Sequence, residues 1–161
     1  METIIFLDVD GVLNAPASAA RGDRPDDERL YGLDPAKCRL LGEVVRRARA
    51  GLVVSSCWRK FEDYAPWAPG RKWREVLAER AGIPAAAFAG DTPSLPATPF
   101  QRGSEIEAWL VSRAGVGPWA VLDDEVGDIV PVLGPGRVVK TDPGEGLTAG
   151  ERDALLALLG A

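Results

Sequence analysis

The run Ile4-Ile5-Phe6-Leu7-Asp8-Val9-Asp10-Gly11-Val12-Leu13-Asn14 decides how the rest of the chain is read. Its apolar opening leads straight into an acid, a spacer, a second acid and a glycine. A continuous apolar run, β-branched and aromatic, predicts a strand buried on both faces, as in a parallel sheet. Carboxylates are costly to bury unpaired, so two acids closing such a strand want a metal, a cation or water. Open α/β sheets bind ligands at that carboxyl end. Gly11 lets the chain bend sharply as it leaves the strand. An ordinary strand-to-loop aspartate turn would also give D-x-D, but the flanking apolar run and the following G-V-L-N argue for a site.

Composition narrows the chemistry. The chain has 161 residues, 46% hydrophobic and 27% charged, which suits a single soluble domain spanning 1–161. A net charge of −5 argues against an extended nucleic-acid-binding surface, though not against a pocket for one phosphorylated end. There is no histidine, so Ser-His-Asp and Cys-His catalysis and histidine metal sites are excluded. Acid–base work near neutral pH falls to carboxylates or other groups. Cys38 and Cys57 make neither a disulfide framework nor a zinc site and read as reduced thiols. With no leader-like opening and no run of membrane-spanning length, the expectation is a cytoplasmic protein without a membrane partner.

From Ala15 to Gly32 the chain is polar and Ala-rich, readable either as a solvated loop or as a flap covering substrate. Asp34-Pro35 predicts a helix start, with Asp34 as N-cap, and Leu40, Leu41, Val44, Val45 and Ala48 share a face. Arg46, Arg47 and Arg49 lie largely opposite and are expected in solvent near the negative helix end. A second buried strand, Leu52-Val53-Val54, ends in Ser55-Ser56-Cys57-Trp58-Arg59. Beside the Asp8 strand that ending would present hydroxyl and backbone donors, though a Ser-capped turn reads the same. Arg59 could reach an anionic substrate or be a surface arginine.

An aromatic connector with Phe61, Tyr64 and Trp67 leads to a helix carrying Trp73, Val76, Leu77 and Arg80, closed by Gly82. Phe88 marks a short third strand before irregular chain to Pro99. Ser104 with Glu107 fits a capping box for a third helix, and Gly115 fits its stop. Trp119-Ala120-Val121-Leu122-Asp123-Asp124-Glu125 is a second strand ending in paired acids, with Asp128 close behind. Acids gathered at one sheet edge repel unless a divalent cation neutralises them, and oxygen-only ligands point to Mg²⁺. A fifth strand, Arg137–Lys140, precedes a final helix with Thr148 and Glu151 as a capping box and Leu155, Leu156, Leu158 and Leu159 inward. Five strands alternating with four helices predict a parallel sheet covered on both faces.

The first stretch, the Ser-ended second strand and the L-D-D strand resemble the haloacid dehalogenase (HAD) superfamily of phosphohydrolases. D-V-D-G-V-L-N, S-S-x-W-R, R-x-x-E-I-x-x-W-L, L-D-D and V-K-T-D-x-x-x-G-L-T are similar to the small bacterial HAD domains associated with RNA-repair proteins. The resemblance implies a three-layer Rossmann-like α/β fold with strand order 5-4-1-2-3 and no separate cap domain. It implies Asp8 as nucleophile and Asp10 as acid–base. Ser55, with Ser56 as its competitor, would hold phosphoryl oxygens together with Arg102, where lysine is the commoner family choice. Mg²⁺ would be held by Asp8, the Asp10 carbonyl and Asp123, with Asp124 or Asp128 in support. The implied activity is Mg²⁺-dependent phosphatase action on a phosphorylated small molecule, a nucleotide or a phosphorylated nucleic-acid end. A phosphotransferase or mutase would use the same residues. A non-catalytic phosphate- or Mg²⁺-binding module would more naturally have lost Asp8 or Asp10.

Overall fold

A computed structural model of the chain describes residues 1–15, 32–60, 70–96 and 101–161. Within β1 (Glu2–Leu7) the side chains alternate: Ile4 and Phe6 enter one apolar cluster, Ile5 and Leu7 the other, and all four are fully buried. That two-sided burial is why the strand is continuously apolar rather than alternating.

Around β1 the sheet is five-stranded and wholly parallel, in the order β3-β2-β1-β4-β5. The other strands are β2 (Ala50–Val54), β3 (Phe88–Asp91), β4 (Val116–Asp123) and β5 (Val138–Lys140). Read from the opposite edge this is the expected 5-4-1-2-3. Leu7 pairs with Val54 on one side and with Leu122 on the other, so β1 sits at the centre. The chain builds outward to β3, then returns to the far side of β1 for β4. The order of the strands therefore reverses between β1 and β4, where open sheets form ligand crevices.

Helices α1 (Pro35–Ala48), α2 (Trp73–Ala81) and α5 (Ala149–Leu159) cover one face through Leu41, Val44, Leu77, Leu155 and Leu159. Helix α3 (Arg102–Val111) covers the other with Ile106 and Trp109, joined by the one-turn α4 (Val130–Leu133). Phe6 meets Trp109 edge-on at 5.3 Å between ring centroids, so the second face is held largely by aromatics. Among the described residues no helix is long and apolar enough to cross a membrane, and none forms a second sheet.

Two caps match the local pattern. Asp34 accepts from Ala36 N at 2.8 Å with Pro35 at N1, and Thr148 accepts from Gly150 N while Glu151 accepts from Thr148 N. Other expectations are corrected. Ser104 does not open α3; the helix starts two residues earlier at Arg102, whose N–H donates to Asp128 Oδ2 at 2.7 Å. Nor does Gly115 stop it, since α3 ends at Val111 and Gly115 leads into β4. Arg46 is not merely solvated: its guanidinium donates to the Ala81 and Gly82 carbonyls and so caps the end of α2. Among the described residues a fifth helix, α4, adds to the four expected, and β5 starts at Val138 rather than Arg137. The stretch read as loop or flap falls, apart from its ends, outside the described residues, as do Phe61, Tyr64, Trp67 and the approach to Pro99.

Candidate active site at the carboxyl edge of the sheet

Parallel pairing runs one residue beyond the strands and lines up a row of polar side chains. Thr92 N donates to Val54 O, Ser55 N to Leu7 O, Asp8 N to Leu122 O and Thr141 N to Asp123 O, all at 2.8–3.1 Å. Asp8 and Asp123 are therefore neighbours at the centre of the edge, with Ser55 beside Asp8. All three are buried.

Arg102 answers the two central charges. Its position in the first turn of α3, fixed by the Asp128 cap, brings Nη1 to 2.6 Å from Asp123 Oδ2 and 3.1 Å from Asp8 Oδ2. Burial, then the Asp123 charge, pushes the Asp8 carboxyl well above the usual carboxylate range, while Arg102, the Val9 N–H and the Ser56 side chain pull it back. Asp123 is also raised by burial, against the opposing Arg102 charge and the Glu125 N–H, which donates to Asp123 Oδ1 at 2.9 Å. The two carboxylates in turn hold Arg102 more firmly protonated despite its own burial.

One guanidinium does not satisfy the pair. Asp8 Oδ1 and Ser55 Oγ are both buried with no hydrogen-bond partner. Such orphaned polar atoms, one a carboxylate acceptor and one a hydroxyl, are costly unless a ligand completes them. Asp8, Asp123 and Asp124 each offer an oxygen, and these atoms lie within 4.8 Å of one another. An all-oxygen set of this kind fits Mg²⁺. Asp124 is brought in by the turn after β1: a Cβ on Gly11, at φ +71°, would lie 2.3 Å from Asp124 Oδ2. Thr141 Oγ1 donates to Gly11 O at 2.9 Å and braces the same turn from β5.

Asp10 stands apart from this cluster. Its side chain is exposed, Oδ1 accepting from Asn14 Nδ2 at 2.8 Å and Oδ2 from Trp58 Nε1 at 3.0 Å. Ser56 is buried beside Asp8 and accepts from Trp58 N. Arg59 lines the cleft that opens beside Arg102. Arg59 Nη2 lies 2.9 Å from both Glu105 oxygens and 3.2 Å from the Ser94 hydroxyl, and its Nη1 donates to Thr92 Oγ1 at 3.2 Å. Asp128 serves as the helix cap, leaving Asp124 as the acid that joins the central pair.

A cleft of about 580 Å³ opens beside Arg102, lined among others by Cys57, Lys60, Gln101 and Glu125. The exposed Cys57 thiol is pushed up by burial and by the Asp10 and Asp8 charges, so it stays a thiol there. Sequence reasoning gave no role to Asn14, Trp58, Glu105 or Thr141. All four lie inside the quoted motifs, but their partners are distant or unmarked in the pattern.

A parallel 3-2-1-4-5 sheet with acidic side chains closing its two central strands is the HAD-type phosphohydrolase and phosphotransferase fold. A family model described as "HAD domain in Swiss Army Knife RNA repair proteins" matches residues 4–151, and the chain belongs to that family. No curated protein and no solved structure matches the chain.

Proposed function

We propose that the chain is a Mg²⁺-dependent phosphomonoesterase that works through an aspartyl-phosphate on Asp8. The observation that carries this reading is the pairing of Asp8 with Asp123 across Arg102, with Asp124 completing a three-oxygen group within 4.8 Å. Bound by Asp8, the Asp10 carbonyl and Asp123, with Asp124 beside them, Mg²⁺ would supply positive charge against the transferring phosphoryl group.

The chain's own residues do the rest. Ser55 Oγ and Arg102 hold phosphoryl oxygens, and the planar guanidinium suits them. An Asp8 oxygen bonds to phosphorus as the bond to the leaving oxygen breaks, and Asp10 gives its proton to that oxygen. Water then attacks phosphorus, its proton passes to Asp10, and the bond to Asp8 breaks to release inorganic phosphate. Position and charge dominate, as phosphoryl transfer requires.

Family membership supports a phosphorylated nucleic-acid end or nucleotide as substrate, and the open cleft has room for one. The test is phosphate release from sugar phosphates, nucleotides and 3′- or 5′-phosphorylated oligonucleotides. Turnover with Mg²⁺, abolished by EDTA and by Asp123→Asn, is expected. No release from any of these classes with Mg²⁺ present would overturn the reading.

A further inference from the structure

Asp10 sits on the turn after β1, exposed, where a short acidic side chain is ordinarily free to change rotamer. Instead each of its oxygens takes one N–H, from two different elements. Asn14 Nδ2 reaches Oδ1 at 2.8 Å from the far side of the same turn, and Trp58 Nε1 reaches Oδ2 at 3.0 Å from the turn after β2. Cys57 Sγ lies 3.7 Å from the second oxygen.

Both donors are rigid. Trp58 is 2% exposed and packs edge-on against Trp73, with centroids 5.5 Å apart and planes at 86°. Asn14 is 1% exposed and its Oδ1 accepts from Gly11 N at 3.1 Å. Burial of an indole does not by itself explain the Trp58 bond. Trp73 is as deeply buried, and its Nε1 has no partner. A carboxylate has about four acceptor positions; Trp58 Nε1 and the weaker Cys57 S–H on Oδ2, with Asn14 Nδ2 on Oδ1, fix its plane and leave a lone pair on Oδ1 for a proton.

We propose that Trp58 and Asn14 are positioning residues that hold the Asp10 carboxylate in the orientation from which it transfers its proton to the leaving oxygen. This rests on the acid–base role given to Asp10 above. A misplaced acid hurts most when the leaving group is poor, because a good leaving group departs without protonation.

The test is kcat/KM with Mg²⁺ over nitrophenyl, phenyl and alkyl phosphates for the native chain, Asp10→Asn, Trp58→Phe and Asn14→Ala. Trp58→Phe keeps an aromatic ring and removes the donor together with part of the buried indole's bulk. If that variant does not fold, Asn14→Ala carries the test, since Gly11 N still donates to the Asn14 carbonyl at 3.0 Å. Asp10→Asn should lose little on nitrophenyl phosphate and about 10²–10⁴-fold on the alkyl ester. Each positioning variant should reproduce that dependence on leaving group at smaller amplitude, roughly tenfold or more on the alkyl ester. A loss uniform across leaving groups, or none, in the folded positioning variants overturns the inference while Asp10→Asn still shows its dependence. Loss of the dependence in Asp10→Asn itself removes the Asp10 role, and this inference with it.

Discussion

Arg102 Nη1 lies 2.6 Å from Asp123 Oδ2, and the same nitrogen reaches Asp8 Oδ2 at 3.1 Å, so one guanidinium ties together the ends of two adjacent strands. The side chains of both acids are almost wholly buried and that of Arg102 is a quarter exposed. Breaking a fully buried pair costs about 3–5 kcal/mol, and partial exposure of Arg102 reduces that. Arg102→Met should therefore unfold at lower denaturant in EDTA at neutral pH, with part of the loss restored by Mg²⁺. An unchanged midpoint would mean that Arg102 does not stabilise the acidic pair.

The same pair sets a pH dependence. Burial raises both carboxyls in the folded state above their unfolded values, so the native chain keeps protons that the unfolded chain gives up. That contribution is full below about pH 4, where an unfolded aspartate is protonated, and is lost as pH rises toward the raised folded values. The metal-free protein should lose Tm between pH 5 and pH 8, and Asp8→Asn should flatten the fall. Mg²⁺ should raise Tm more at pH 8 than at pH 5, which scanning calorimetry reads directly. A Tm that climbs over that interval, unaltered by Asp8→Asn, would contradict the electrostatic account.

Gly42 tests the packing beneath the site. It lies in α1, and a Cβ there would fall 1.9 Å from the Ala81 carbonyl oxygen at the end of α2. On helix propensity alone Gly42→Ala would stabilise by about 1 kcal/mol. Because the two helices touch at this point, the substitution should instead destabilise by about 1–3 kcal/mol, the usual cost of overpacking. Equilibrium urea unfolding gives the sign.

The strand ends were legible because they are local: an apolar run closing in acids needs only its own residues to be recognised. The caps at Asp34 and Thr148 were legible for the same reason, each partner lying within three positions. Ser104 misled because a capping pattern was present while a tertiary cap, Asp128 on Arg102 N, determined where α3 begins. Arg46 and Arg59 were hard to read because an arginine in sequence carries no sign of whether a carbonyl or a carboxylate will meet it. In the fold Arg46 meets the end of α2 and Arg59 meets Glu105. The Asp10–Trp58 bond spans 48 positions, and the sheet order that brings β1 beside β2 is what makes it.

Arg59 and Glu105 join the turn after β2 to α3, one helical turn beyond Arg102. Their side chains are each 10% exposed. Glu105→Gln removes the charge and keeps the shape, and should cost about 1.5–3 kcal/mol, the range for hydrogen bonds to charged groups. Its expected catalytic signature is a fall in kcat with KM little changed, since Gln keeps the shape of the cleft wall that Glu105 shares with Arg59 and Arg102. A rise in KM alone would instead assign the pair to substrate binding.

The central claim is that Asp8 carries the phosphoryl group, and the most direct measurement is acid-quenched intact mass spectrometry after mixing with nitrophenyl phosphate and Mg²⁺. Asp10→Asn keeps the nucleophile and loses the proton shuttle, so it should accumulate one added phosphoryl group that maps by peptide analysis to Asp8. Asp8→Asn should acquire none. A phosphoryl group on Asp8→Asn, or one mapped to any other residue of Asp10→Asn, would contradict the account.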